Sequence, residues 1–188
     1  NNGDFFINDI ATGGIEFTAA GQHIWCRQLN VENEDTPKIW NNGSVLWILG
    51  LKTERGNTVV KTTGGGITGI LGGMIYSTSD TKVDPMFDID NGHVSIAGVV
   101  ERCFNGNPYT LLVREKRGEE TLELPAEGTS LRGGLFYVGY TPDAITRGRS
   151  TSPLTVLTPK APQRGVRRIV LLDGRMVRQD LFRHTAGN

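Results

Sequence analysis

Gly21-Gln22-His23-Ile24-Trp25-Cys26-Arg27-Gln28-Leu29-Asn30-Val31-Glu32 is repeated in kind, 22 positions later, by Gly43-Ser44-Val45-Leu46-Trp47-Ile48-Leu49-Gly50-Leu51-Lys52-Thr53-Glu54. Trp25 falls on Trp47, Leu29 on Leu51 and Glu32 on Glu54. A third copy runs from Gly65 to Tyr76, and a looser fourth from Gly92 to Val100. Self-similarity at a fixed period marks a stacked architecture, in which each repeat buries its apolar side on its neighbours. This period fits one turn of a right-handed parallel β-helix. The expected fold is therefore all-β: a short parallel β-helix of about four to five coils, then antiparallel strands and a C-terminal β-hairpin.

Strand parity follows from the charges. If Arg27 points outward, so do His23 and Trp25, because side chains alternate along a strand. Ile24 and Cys26 then face inward, stacked with Leu46 and Ile48, Thr68 and Ile70, Val94 and Ile96. The outward row (Val45, Trp47, Leu49, Ile67, Leu71) is itself apolar. A strand apolar on both faces reads as one buried on both, so the expected partner is a second copy, a preceding segment or the chain's own tail, laid over that sheet.

The organisation expected along the chain is coils over 1–103, an antiparallel extension over 104–146, a Pro/Arg-rich linker over 147–165 and a hairpin over 166–188. Tyr109 to Lys116 and Glu120 to Leu124 alternate around Arg117-Gly118 as hairpin arms. Asp173-Gly174 between alternating flanks is the second hairpin signal. Gly64-Gly65-Gly66 opens no helix and reads as a tight corner. The polar, Pro-closed stretches 33–37 and 77–85 are loops.

The 188 residues carry no formal net charge, but the charge is uneven. Residues 150–188 hold seven Lys and Arg against Asp173 and Asp180, a surplus of five balanced by the rest of the chain. A basic tail of this kind most simply docks on an acidic body or a second chain, and nucleic acid is the less favoured partner. No stretch approaches the ~20 apolar residues that a membrane-spanning helix needs. Asn1 opens the chain with no initiator Met or leader and no cap is legible at either end. The chain therefore reads as the C-terminal part of a longer secreted protein, or one whose open end a partner covers. Cys26, inward by parity, reads as a buried thiol, and a disulfide to Cys103 stays open.

The stretches 21–30 and 46–54 resemble the later coils of pectate-lyase-superfamily β-helix proteins, a group that includes polysaccharide lyases, relatives of glycoside hydrolase family 28 and phage tailspikes. The resemblance covers roughly residues 1–140. It implies an extracellular protein that binds or degrades polysaccharide, or else a structural or adhesive subunit of a tailspike, fibre or surface layer. The Asn-Thr-Asp, Asp-Asp, Gly-His-Gly and Arg-Ile-Lys motifs of polygalacturonase-like enzymes are absent, and Gly92-His93-Val94 lacks the second Gly. No catalytic role carries over, and whether the chain is an enzyme is left open.

Candidate chemistry comes from the repeat itself. Neighbouring strands lie about 4.8 Å apart, which sets Glu32 and Glu54 near the ~5–5.5 Å carboxyl separation of retaining glycosidases. In that reading the two share a substrate-binding groove with Arg27 and Lys52, and one of the pair should titrate high. The same pair would suit calcium, the one cofactor left open, through oxygen ligands. The bland alternative is a pair of solvated turn residues neutralised by Arg27 and Lys52. Asp88 and Asp90, beside His93, form a second acidic candidate. Trp25, Trp47 and the nearby Trp40, with Asn30, Asn41 and Asn42, would form a stripe for sugar rings or for a protein partner.

Overall fold

A computed structural model describes residues 3–34, 37–80, 85–126 and 134–139, with the backbone of 169–170 and 176–177. Its strands are β1 (Phe5–Ile7), β2 (Ile10–Thr12), β3 (Ile15–Phe17), β4 (His23–Cys26), β5 (Leu29–Val31), β6 (Ile39–Asn42), β7 (Val45–Ile48), β8 (Leu51–Glu54), β9 (Val60–Thr63), β10 (Ile67–Ser77), β11 (Phe87–Asp90), β12 (His93–Cys103), β13 (Leu111–Arg117), β14 (Glu120–Pro125), β15 (Leu135–Val138), β16 (Ile169–Val170) and β17 (Met176–Val177). Each turn of the chain lays a strand on each of three walls, and five turns stack in parallel. The first wall is β1, β4, β7 and the first halves of β10 and β12. The second is β2, β5, β8 and the remainder of β10, with β12 alongside. The third is β3, β6, β9, β11 and β13. The fold is the all-β parallel β-helix that the repeat implies.

The register is the one read from the sequence. Trp25 sits opposite Trp47, Ile24 opposite Leu46, and Leu29 opposite Leu51. Inward columns follow as expected: Ile24, Leu46, Thr68 and Val94 in one, Cys26, Ile48, Ile70 and Ile96 in the next, all buried. The first and second walls meet at a sharp corner. There Gly72 and Gly98, aligned by the ladder, adopt φ of 99° and 80°, a region that side chains with a Cβ rarely enter.

The parallel stack runs past residue 103, because β13 pairs parallel with β11 and completes the fifth turn. The same strand is the first arm of the expected hairpin, turning back into antiparallel β14. β15 returns antiparallel along β12, pairing Ile96 with Tyr137. Beneath it the buried Glu115 carboxylate accepts hydrogen bonds from Tyr137 Oη and from Arg117 Nε at 2.7 Å. These two antiparallel strands cover much of the last turn's edge. At the first turn, β1, β2 and β3 pair on one side only, leaving the inward positions Phe5 and Ile10 50% and 37% exposed. β16 and β17 pair antiparallel as the terminal hairpin. The Asp173-Gly174 turn and the 147–165 linker lie outside the described residues.

Polar groups in the core are largely satisfied rather than excluded, Asn30 Oδ1 and Asn33 Oδ1 being the buried oxygens without a hydrogen-bond partner among the described residues. Asn41 Nδ2 donates to Ser44 O at 3.1 Å and Thr68 Oγ1 at 2.9 Å, while its Oδ1 accepts from Ser44 N. This fixes the corner between the third and first walls, so Asn41 is a core residue and not a surface neighbour of the tryptophans. No helix of the described residues is long and apolar enough to cross a membrane.

Candidate functional site: the outer faces of the walls

The outward side of the first wall carries three rows. One runs Phe6, Trp25, Trp47, Gly69, Ser95. It is flanked by His23, Val45, Ile67, His93 on one side and Leu49, Leu71, Ala97, Phe136 on the other. The two flanking rows begin with charge, since Asp4 precedes His23 and Arg27 precedes Leu49 in register; the other residues named include no Asp, Glu, Lys or Arg. Leu49 is 46% exposed, Ile67 41%, Leu71 38%, Phe136 39% and Phe6 70%. The apolar outward row is therefore real, and no described residue covers it.

Trp25 and Trp47 stack with ring centroids 5.8 Å apart and planes 8° from parallel. Two indoles on adjacent strands are brought together by the strand spacing, and offset parallel rings are a favourable arrangement. Trp40 does not join them. It lies on β6 in the third wall, where its Nε1 donates to Thr63 Oγ1 at 2.9 Å. The three-tryptophan stripe is thus corrected to a pair, because Trp40 lies on β6, a strand of another wall than β4 and β7.

The carboxylates Glu32 and Glu54 do meet on the second wall, as the register requires. The Lys52 ammonium lies between them, donating to Glu32 Oε1 and to Glu54 Oε1, the latter at 2.6 Å. Asn30 Nδ2 adds a hydrogen bond to Glu32 at 2.9 Å. Lys52 and Asn30 together hold the Glu32 carboxyl below its ordinary range, opposite to the raised value expected of a general acid. Arg27 is not among the groups acting on Glu32; it stands exposed at the corner before β5, and Arg55 is the second cation in reach. Lys52 also lies 5.8 Å from the Tyr76 ring centre.

Sequence reasoning missed the rest of this cluster. Lys38 is fully buried, and its ammonium donates to Asn33 O and Glu54 O, tying Asn33 to the next turn. Burial, followed by the nearby Arg55 charge, pushes its pKa down to about 8, against the pull of Glu32, Glu34 and Glu54. Arg55 pairs with Glu34. Three acids and three bases thus interlock. The one available signal was the i, i+2 spacing of Lys52 and Glu54, which puts both on the outer side with Glu32.

Asp88 and Asp90 project from β11 on the third wall, away from His93, which opens β12 on the first. Lys61 lies 3.5 Å from Asp88 and Lys116 3.9 Å from Asp90. Asp88 belongs to a ladder of alternating charge, Lys61, Asp88, Arg114, Glu123, one residue per strand. Both cysteines are free; Cys26 is buried and its thiol pushed up to about 12 by that burial. Comparison of the chain with family models, with curated proteins and with solved structures finds no match.

Proposed function

We propose that this chain is a polysaccharide-binding β-helix module of an extracellular protein, and that the outer face of the first wall, centred on Trp25 and Trp47, is its glycan contact. The observation that carries the proposal is the combination of a partly exposed, stacked tryptophan pair with the apolar neighbours Val45, Leu49, Ile67 and Leu71, the charged Asp4 and Arg27 standing only at the first two turns. Indole rings pack on the C–H faces of sugars, and the mainly uncharged surroundings favour a glycan with few carboxylates. Size separates this reading from a protein dimer. Five strands about 4.8 Å apart and about four residues long give roughly 300 Å², against the ~800 Å² per partner of a stable protein interface. An apolar patch of that size on a monomer is often a binding site.

Binding, rather than bond cleavage, is the activity proposed. Glycoside hydrolysis asks one carboxyl of a pair to hold a proton, and Glu32 is biased the other way by Lys52. A structural or adhesive subunit is the second reading, favoured by the exposed Phe5, Phe6 and Ile10 at the first turn. The resemblance to the pectate-lyase superfamily supports both. Affinity electrophoresis through a panel of neutral and acidic polysaccharides tests the proposal. Retardation by a neutral polymer that is lost in Trp25→Ala and Trp47→Ala, and kept in Asp88→Asn, is the expected result. Retardation unaffected by either tryptophan substitution would overturn it.

A further inference from the structure

Gly69 occupies the middle of the exposed face of β10, next after Trp47 in the outward row. Its backbone does not call for glycine: its φ is not positive, unlike Gly64, Gly65, Gly72 and Gly98. Glycine in a strand interior costs stability, because it gives up backbone entropy and packs no side chain. What requires it is the neighbouring indole. A Cβ at position 69 would lie 2.6 Å from both Cε3 and Cζ3 of Trp47 and 3.2 Å from Cδ2. The indole therefore lies over the residue after it in the ladder, and Trp25, its ring plane nearly parallel, follows it in the same tilt.

We propose that Gly69 is the positioning residue of the glycan platform: the missing side chain is the seat that lays Trp47 down against the sheet and, through the stack, sets the pose of Trp25. This rests on the glycan-binding reading of the same face. A side chain at 69 would drive the Trp47 ring upright, so that the pair offers a sugar ring edges instead of a tilted surface. The clash is with the ring end of a side chain that can rotate rather than with backbone, so the strand itself survives the substitution.

The test is Gly69→Ala in the full chain, read in three ways. Two stacked indoles couple their transitions, so the circular-dichroism exciton couplet of Trp25 and Trp47 reports the pose, thermal melting reports the fold, and polysaccharide affinity reports the platform. The expected result is a collapsed couplet, unchanged or slightly raised melting temperature, and affinity lower by about tenfold, the size of one lost ring contact. Trp47→Ala should show the same affinity loss, and Gly69→Ala should add little to it. A couplet that survives Gly69→Ala overturns the seat. A couplet that collapses while affinity holds overturns its role in binding. If the parent chain binds no polysaccharide, the glycan reading falls, and the couplet alone decides the seat.

Discussion

The outer faces of the first and third walls differ in almost every respect although they share one core. On the third wall, Lys61, Asp88, Arg114 and Glu123 alternate in sign from strand to strand, and Trp40 is tied down by a hydrogen bond to Thr63. Such a ladder is self-satisfied and well hydrated, with nothing left over to recognise a ligand. On the first wall the corresponding positions are Trp25, Trp47, Gly69 and Ser95, and beyond Arg27 beside Leu49 and Asp4 beside His23 its outward rows leave Ile67 and Leu71 exposed among uncharged neighbours. Inward residues make the β-helix; outward residues decide what each wall meets.

The comparison is broken most completely from inside. Ile48 is buried between Cys26 and Ile70 in the shared core, and Ile48→Ala should cost about 2–5 kcal/mol in urea unfolding. Both faces should be lost in a single transition; separate transitions for the two walls would show that they do not share one cooperative core.

Next in size is a pH effect confined to the second wall. The Lys38 ammonium is held down to about 8 from 10.5, so between those values the unfolded chain binds a proton that the folded chain has released. Stability contributed by this group therefore rises with pH across that window, on the order of 1–3 kcal/mol. Lys38→Met should remove the rise while leaving Asn33 O and Glu54 O without their donor. A parent chain and variant with parallel stability profiles across the window would contradict the burial argument.

The charge ladder sharpens the comparison by doing little. Asp88→Asn should change stability by no more than ~1 kcal/mol, because exposed ion pairs contribute little. Smallest of all is Glu32. Its carboxyl is depressed by Lys52 and Asn30, so its contribution is present above the ordinary value of 4.5 and is lost as pH falls below it. Melting of Glu32→Gln with calcium and with chelator checks the cation alternative: the expected shift from the parent is small and the same in both. A shift that appears only with calcium would place an ion among these carboxylates.

How much of this was legible depends on where the period holds. It holds across β4, β5, β7, β8 and the start of β10, where Trp25, Trp47 and Gly69 step by one constant interval, and there register, parity and the inward columns could all be read. The first turn steps differently, from Phe5 to Ile24, because no loop separates its second and third strands. The third wall was hidden for a related reason: loops of varying length precede its strands, and its inward positions include Asn41, Thr62 and Glu115, which break apolar alternation. Of the candidate sites, the pairing of Glu32 with Glu54 was legible from the ladder. Lys38 and Arg55 were not, since only the folded loop brings them beside those carboxylates.

The most direct test of the central claim uses the salt dependence of binding. In a Trp40→Phe background Trp25 and Trp47 are the only indoles left, and titration with a neutral polysaccharide that retards the parent chain, with excitation selective for tryptophan, should shift or quench their emission. Because the contact centres on Trp25 and Trp47 among uncharged neighbours, with the charged Asp4 and Arg27 confined to the first two turns, the midpoint of that titration at neutral pH should change little between about 0.1 M and about 1 M salt, where screening shortens from ~10 Å to ~3 Å. Emission that ignores the glycan, or a midpoint that weakens steeply with salt, would move the contact to a charged wall and contradict the account.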